Sequence, residues 1–100
     1  MDRKTVFVRF ISNDYSIDYW SDVAIEEAIE LANAFSQIDW VSLRSESGNL
    51  PPNVQARLAQ VAGGVSTYDS EIGEMLFAML SSDDADVVES SLRFSKHNQP

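Results

Sequence analysis

Apolar residues return at intervals of three and four along four separate stretches of this chain, and that spacing is the period of an α-helix. The clearest stretch is 22–37. Ala24, Ile25, Ala28, Ile29, Leu31, Ala32 and Phe35 fall on one half of a helical wheel, with Asp22, Glu26, Glu27, Glu30, Asn33 and Gln37 on the other. Ser21 is placed to cap it, and the early acids suit the positive end of the helix dipole. A second helix follows Gly48-Asn49-Leu50-Pro51-Pro52, because the missing proline N–H is harmless in a first turn. Val54, Leu58, Val61, Ala62 and Val65 make its stripe, and Gly63-Gly64 its stop. The third spans 70–80. Ile72, Met75, Leu76, Met79 and Leu80 repeat with helical spacing, and Phe77 and Ala78 widen the apolar face, which predicts a central position. Gly73 weakens this helix by about 1 kcal/mol relative to alanine and leaves room for close packing. The fourth opens in the turn 82–84 and runs to about residue 95, with Ala85, Val88 and Leu92 inward and Val87 and Phe94 flanking. Residues 97–100 are expected to fray.

Two stretches are less regular. Residues 38–43 read as a short helix capped by Asp39. Residues 5–11 have the β-branched content of a strand, yet no other segment could pair with one, and a lone strand leaves its backbone polar groups unmatched. A first helix with Val6, Phe7, Phe10 and Ile11 inward is therefore preferred. The sum is an all-α chain of five or six short helices in antiparallel hairpins, one domain over residues 1–100.

The charge is unevenly spread. Seven basic against sixteen acidic side chains leave a net charge of −9. No Lys or Arg occurs between residues 10 and 43, which carry Asp14, Asp18, Asp22, Glu26, Glu27, Glu30 and Asp39. A second span, 58–92, also lacks them and carries Asp69, Glu71, Glu74, Asp83, Asp84, Asp86 and Glu89. Soluble surfaces usually mix both signs, and single-sign blocks repel themselves. Such a chain repels nucleic acid and anionic membrane and attracts cationic surfaces. It has no cysteine, so neither disulfides nor thiolate-bound zinc enter. The apolar run 6–11 is broken by Arg9 and is too short for a signal-peptide core or a bilayer span, so a cytoplasmic location without membrane contact is expected.

The string Met79-Leu80-Ser81-Ser82-Asp83-Asp84-Ala85-Asp86-Val87-Val88 resembles the turn between HEAT-like helical repeats, where an aspartate caps the next helix and Val and Leu dock on the previous pair. Asp39-Trp40 followed by a loop and the proline-started helix is similar to small bacterial immunity proteins with HEAT-like helices, those of contact-dependent growth inhibition and related toxin systems. The likeness spans most of residues 21–94. It implies either stacked HEAT-like hairpins or a compact bundle, and a protein that binds a cognate basic toxin, often a nuclease, and blocks it.

The residues themselves offer little for catalysis, a cofactor or a metal. His97 is the only histidine and lies in the terminal stretch. Asp83, Asp84 and Asp86 lack the glycine and distant glutamate of a calcium loop, and helix capping accounts for them better. The expected partner-binding residues are Asp14, Tyr15, Asp18, Tyr19, Asp22, Glu26 and Glu30 on the first acidic block, and Tyr68, Asp69 and Glu71 on the second. Tyr15, Tyr19 and Trp20 are read as an aromatic loop among acids, with the tyrosines as interface anchors and Trp20 closing the core. Trp40 is read as internal. The chain is expected to be a monomer or weak dimer and not an enzyme. A nucleic-acid mimic of the anti-restriction or anti-CRISPR kind and an adaptor subunit in a larger helical assembly remain as alternatives.

Overall fold

Helices account for most of the residues the computed structural model describes, namely 2–65, 69–80 and 84–95, with side chains at 69 and 92–95 left aside; no strand occurs among them. Helix α1 is Arg3–Ile11. Helix α2 runs without a break through Ile17–Tyr19, a π-helical turn Trp20–Ala24 and Ile25–Asn33. Helices α3, α4, α5 and α6 are Gln37–Ser47, Pro52–Gly63, Asp69–Met79 and Ala85–Ser95. The fold is an all-α bundle. Its extents of 31 × 29 × 24 Å are nearly equal in all directions, which favours a bundle over an elongated stack of repeats.

Residues 5–11 are helical, as the absence of a pairing strand required. Asp2 caps α1 by accepting the Thr5 amide at 2.8 Å. Phe7 and Ile11 are fully buried and Phe10 packs at the edge of the core, but Val6 faces outward. Residues 6 and 7 lie about 100° apart on the helix, and the packed face of α1 takes in Phe7 and Ile11 but stops short of Val6.

Helix α4 holds the centre. It packs against α1, α2, α5 and α6, and Val54, Gln55, Leu58, Ala59, Val61 and Ala62 are buried on it. The expectation of a central helix at 70–80 is therefore corrected. In α5, Ile72, Met75, Leu76 and Met79 are buried, but Ala78 is exposed and Phe77 is 75% exposed. Nor do α4 and α5 form the main hairpin. The most extensive contact in the bundle is between α4 and α6, while α5 rests on α3 and α6. On α6 the buried row is Val87 and Ser91, four residues apart, whereas Ala85 is exposed and Val88 half-buried. Leu92 and Phe94 lie outside the described side chains, and residues 97–100 outside the described residues. Asp84 caps α6, accepting the amides of Asp86 and Val87 at 3.0 and 3.3 Å.

Two helix starts lie upstream of the expected ones. Helix α2 is capped by Ser16, whose hydroxyl accepts the Tyr19 amide at 3.1 Å. Ser21 sits inside the helix and donates to the Ile17 carbonyl at 2.8 Å. Helix α3 is capped by Ser36 in a reciprocal capping box. Asp39, three residues on, accepts the Ser36 amide at 2.9 Å and does not itself cap the helix. Trp40 is buried edge-on to Phe35, which is in turn edge-on to Phe7, at ring separations of 5.0 and 5.3 Å.

The two glycine positions behave differently. A Cβ on Gly64 would lie 2.6 Å from Cδ1 and 3.1 Å from Cγ1 of Ile29, so this residue lets α2 and α4 meet closely. Around Gly73 nothing lies within 4 Å of a Cβ, so close packing is not its role. Gly73→Ala should therefore stabilise the fold by about 0.5–1 kcal/mol, by reducing the backbone freedom of the unfolded chain. In a domain this size that raises the thermal midpoint by roughly 3–6 °C. A scanning-calorimetry midpoint that stays put or falls would show an unseen constraint at residue 73.

Candidate partner-binding surface

The candidate surface is built on α2. Trp20, Ala24, Ala28 and Ala32 are buried at every fourth residue, and Asp18, Asp22, Glu26 and Glu30 are exposed at the same interval. In a pure α-helix four residues turn about 400°, so a row of such residues drifts by about 40° per step. The turn Trp20–Ala24 is closed by a hydrogen bond from the Ile25 amide to the Trp20 carbonyl, five residues back. This wider turn brings four residues to roughly one full revolution. Trp20 thus stays in line with the alanines, and the four acids run along the opposite side. With about 1.5 Å of rise per residue the row is about 18 Å long.

The side chains beside this row are apolar. Tyr19 is 51% exposed and Val23 is similarly open, while Ile17 protrudes at 85% exposure. Sequence reasoning missed Ile17 and Val23. Their signal was weak, since the helix was expected to begin only at residue 22. Tyr19 and Trp20 belong to α2 and not to a loop, and Trp20 closes the core as expected. Tyr15, half-buried just before α2, stacks on Tyr19 at 5.7 Å and on Trp20 at 5.9 Å, and Phe10 lies 5.7 Å on its other side.

Helix α4 grips this corner twice. The Trp20 indole N–H donates to Oε1 of Gln60 at 2.7 Å. Arg57, one turn earlier on α4, donates through Nη1 to the carbonyls of Ile11 and Asn13 at 2.9 and 2.7 Å, and through Nη2 to the Tyr15 carbonyl at 3.3 Å. Its guanidinium carbon also lies 5.4 and 5.1 Å from the ring centres of Tyr15 and Trp20. Nothing in the sequence pattern pointed to Arg57, because its partners lie more than 40 residues away. Beside it, a cleft of about 680 Å³ opens between the start of α2, α4 and α6, bordered by Ile17, Trp20, Gln60 and Asp86.

The structure gathers Asp14, Tyr15, Asp18, Tyr19 and Asp22 at one end of α2, with Glu26 and Glu30 farther along it. The second group is separate. Tyr68 lies outside the described residues, and Asp69 is described only as the first residue of α5. Glu71 accepts from Nε2 of Gln37 at 2.9 Å, beyond the C-terminal end of α2. The ion pairs among the described residues are Arg3 with Asp39, Lys4 with Glu46 and Arg44 with Glu74. Their acids come from α3 and α5, and none involves the carboxylates of α2. Among the described residues, no group of three or more His, Cys, Asp or Glu side chains could hold a metal ion, and no helix is long and apolar enough to cross a membrane. Comparison with known proteins found no matching family model, no similar curated protein and no similar solved structure.

The Gln37 amide favours the charged form of Glu71 and holds its carboxyl below the ordinary 4.5. The Thr5 amide does the same for Asp2, whereas the Glu46 carboxylate raises Lys4. The acids contribute stability that is present above their ordinary values and lost as pH falls through the lowered ones. Lys4 contributes below 10.5 and loses its share as pH rises through its raised value. In Gln37→Ala, the Glu71 carboxyl should titrate closer to an ordinary glutamate, at higher pH than in the parent protein. Carbon NMR of that carboxyl reads the shift directly, and an unmoved titration would remove Gln37 as its cause.

Proposed function

We propose that this chain is an immunity-type inhibitor that binds a cognate basic protein toxin through the outer face of α2 and blocks it. The observation that carries this reading is the absence, among the described residues, of any ion pair to the carboxylates of α2. Asp18, Asp22, Glu26, Glu27 and Glu30 stand on one helix without a Lys or Arg. Like charges four residues apart oppose helix formation by about 0.2–0.5 kcal/mol per pair. A cationic partner turns that repulsion into attraction and speeds encounter.

The neighbours of the row favour a protein over a phosphate copy. Tyr19, Val23 and Ile17 offer apolar anchors, which a protein surface can bury and a phosphate reader cannot. A toxin that grips nucleic acid must itself present a basic surface. A rigid acidic helix competes for that surface and shuts the toxin down.

The test is affinity capture from cells that carry the gene, using the parent chain and Glu26→Lys/Glu30→Lys. The charge-reversed chain should keep its helical circular dichroism and lose most of the captured partner, with association slowed at least 10-fold. The purified partner should be a basic protein whose toxic activity is abolished by one equivalent of the parent chain. Equal capture by both chains, or a partner that stays fully active when bound, would defeat the reading.

A further inference from the structure

We infer that Arg57 is the positioning residue of this surface: it fixes the connection between α1 and α2, so that Asp14, Tyr15 and Tyr19 meet the partner already in place. This rests on the docking role proposed for α2, but the clamp itself is a property of the free protein.

Between Ser12 and Ser16 the connection has few other polar ties. Ser12 is tied to the Val8 carbonyl through its amide and hydroxyl, and Ser16 caps α2; between them the turn makes two backbone hydrogen bonds, Asn13 to Phe10 at 3.4 Å and Tyr15 to Asn13 at 3.0 Å. The Asn13 side chain reaches the Tyr15 hydroxyl only at 3.3 Å, in the open. Ser12, Asn13, Asp14 and Ser16 are all exposed. Into this turn α4 sends one planar cation that ties three carbonyls, from Ile11, Asn13 and Tyr15, to a single point. Carbonyl oxygens at successive odd positions of an extended turn would otherwise repel one another. The fork of N–H donors fixes their relative directions, which a rounder ammonium does not.

The same guanidinium lies beside the faces of Tyr15 and Trp20, and the stack continues outward from Tyr15 to half-exposed Tyr19. Order therefore passes from a buried helix through Arg57 and Tyr15 to a ring that a partner can touch. Anchors that are rigid before contact spare the interface the entropy of ordering them, about 0.5–1.5 kcal/mol per side chain. Losing that advantage over two tyrosines would weaken binding by roughly 5- to 100-fold.

The decisive comparison is amide hydrogen exchange of the free parent chain, Arg57→Met and Arg57→Lys, with proton NMR contacts between the rings of Tyr15 and Tyr19. In Arg57→Met, exchange over residues 12–16 should rise at least 10-fold and the ring contacts should fade, while the core amides of α3 and α5 keep their protection. Arg57→Lys should restore protection only in part. Protection of 12–16 unchanged in Arg57→Met overturns the inference, because the turn then holds itself. A rise spread evenly over all helices also overturns it, because Arg57 then supports the whole fold and not the surface. Neither result depends on the partner, whereas the docking role fails separately if charge reversal on α2 leaves capture unchanged.

Discussion

The bundle depends on the burial of α4. This helix touches four of the five others, and it can do so because its sequence supplies small or branched apolar residues on most of its circumference. Ala59 and Ala62 allow close approach, and Leu58 and Val61 fill the space between neighbours. Burying each of the larger side chains contributes about 1.5–3 kcal/mol of favourable transfer free energy. The buried and half-buried polar residues on α4 survive because each has a partner. Gln55 donates to the Leu50 carbonyl at 2.8 Å, Gln60 accepts from Trp20, and Arg57 serves three carbonyls. A central helix thus supplies both the apolar core and the polar ties that hold the surface corner.

Around that centre, charge is sorted by side. Arg3 and Lys4 of α1 and Arg44 of α3 pair with acids of α3 and α5, across the junctions of those helices. These partly exposed contacts add little stability individually. Among the described residues, the carboxylates of α2 take no part in the pairing. Below Trp20 its fully buried row is alanine, flanked by Ile25, Ile29 and Leu31 at the edge of the core, and its outer face carries charge and isolated apolar groups. A helix made for solubility alone would intersperse lysine with glutamate and would not expose Ile17, Tyr19 and Val23.

Periodicity made the helices legible, and their partners much less so. The apolar repeats at 22–37, 54–65 and 70–80 each mark a real helix, and the lone β-branched segment at 5–11 was rightly denied a strand by the lack of anything to pair with it. The starts of α2 and α3 were misplaced because serine caps are common residues, and Ser16 and Ser21, or Ser36 and Asp39, are equally plausible in sequence. Centrality went to the wrong helix because Phe77 raises the apolar content of α5 while pointing to solvent. Composition counts such a residue as core, and only tertiary packing shows otherwise. The acids of α2 were visible as a block, and the aromatic corner as a cluster. The wide turn that aligns them and the arginine that braces them depend on contacts between distant parts of the chain, which a one-dimensional pattern does not record.

The π-helical turn Trp20–Ala24 holds one residue more than a regular α-helix needs between the same two neighbours. Loss of a single codon within it could be absorbed as ordinary helix, without harm to the alanine-lined side that follows. The segments before and after the deletion would keep their relative orientation, because the wide turn and an ordinary helix join the same two neighbours, and only the side chains offered within the turn would change. The coding length of this one turn is therefore a dial for the shape of the outer face. A lineage could change which molecules that face recognises by an insertion or deletion of three bases in this turn, leaving the side chains before and after it in place.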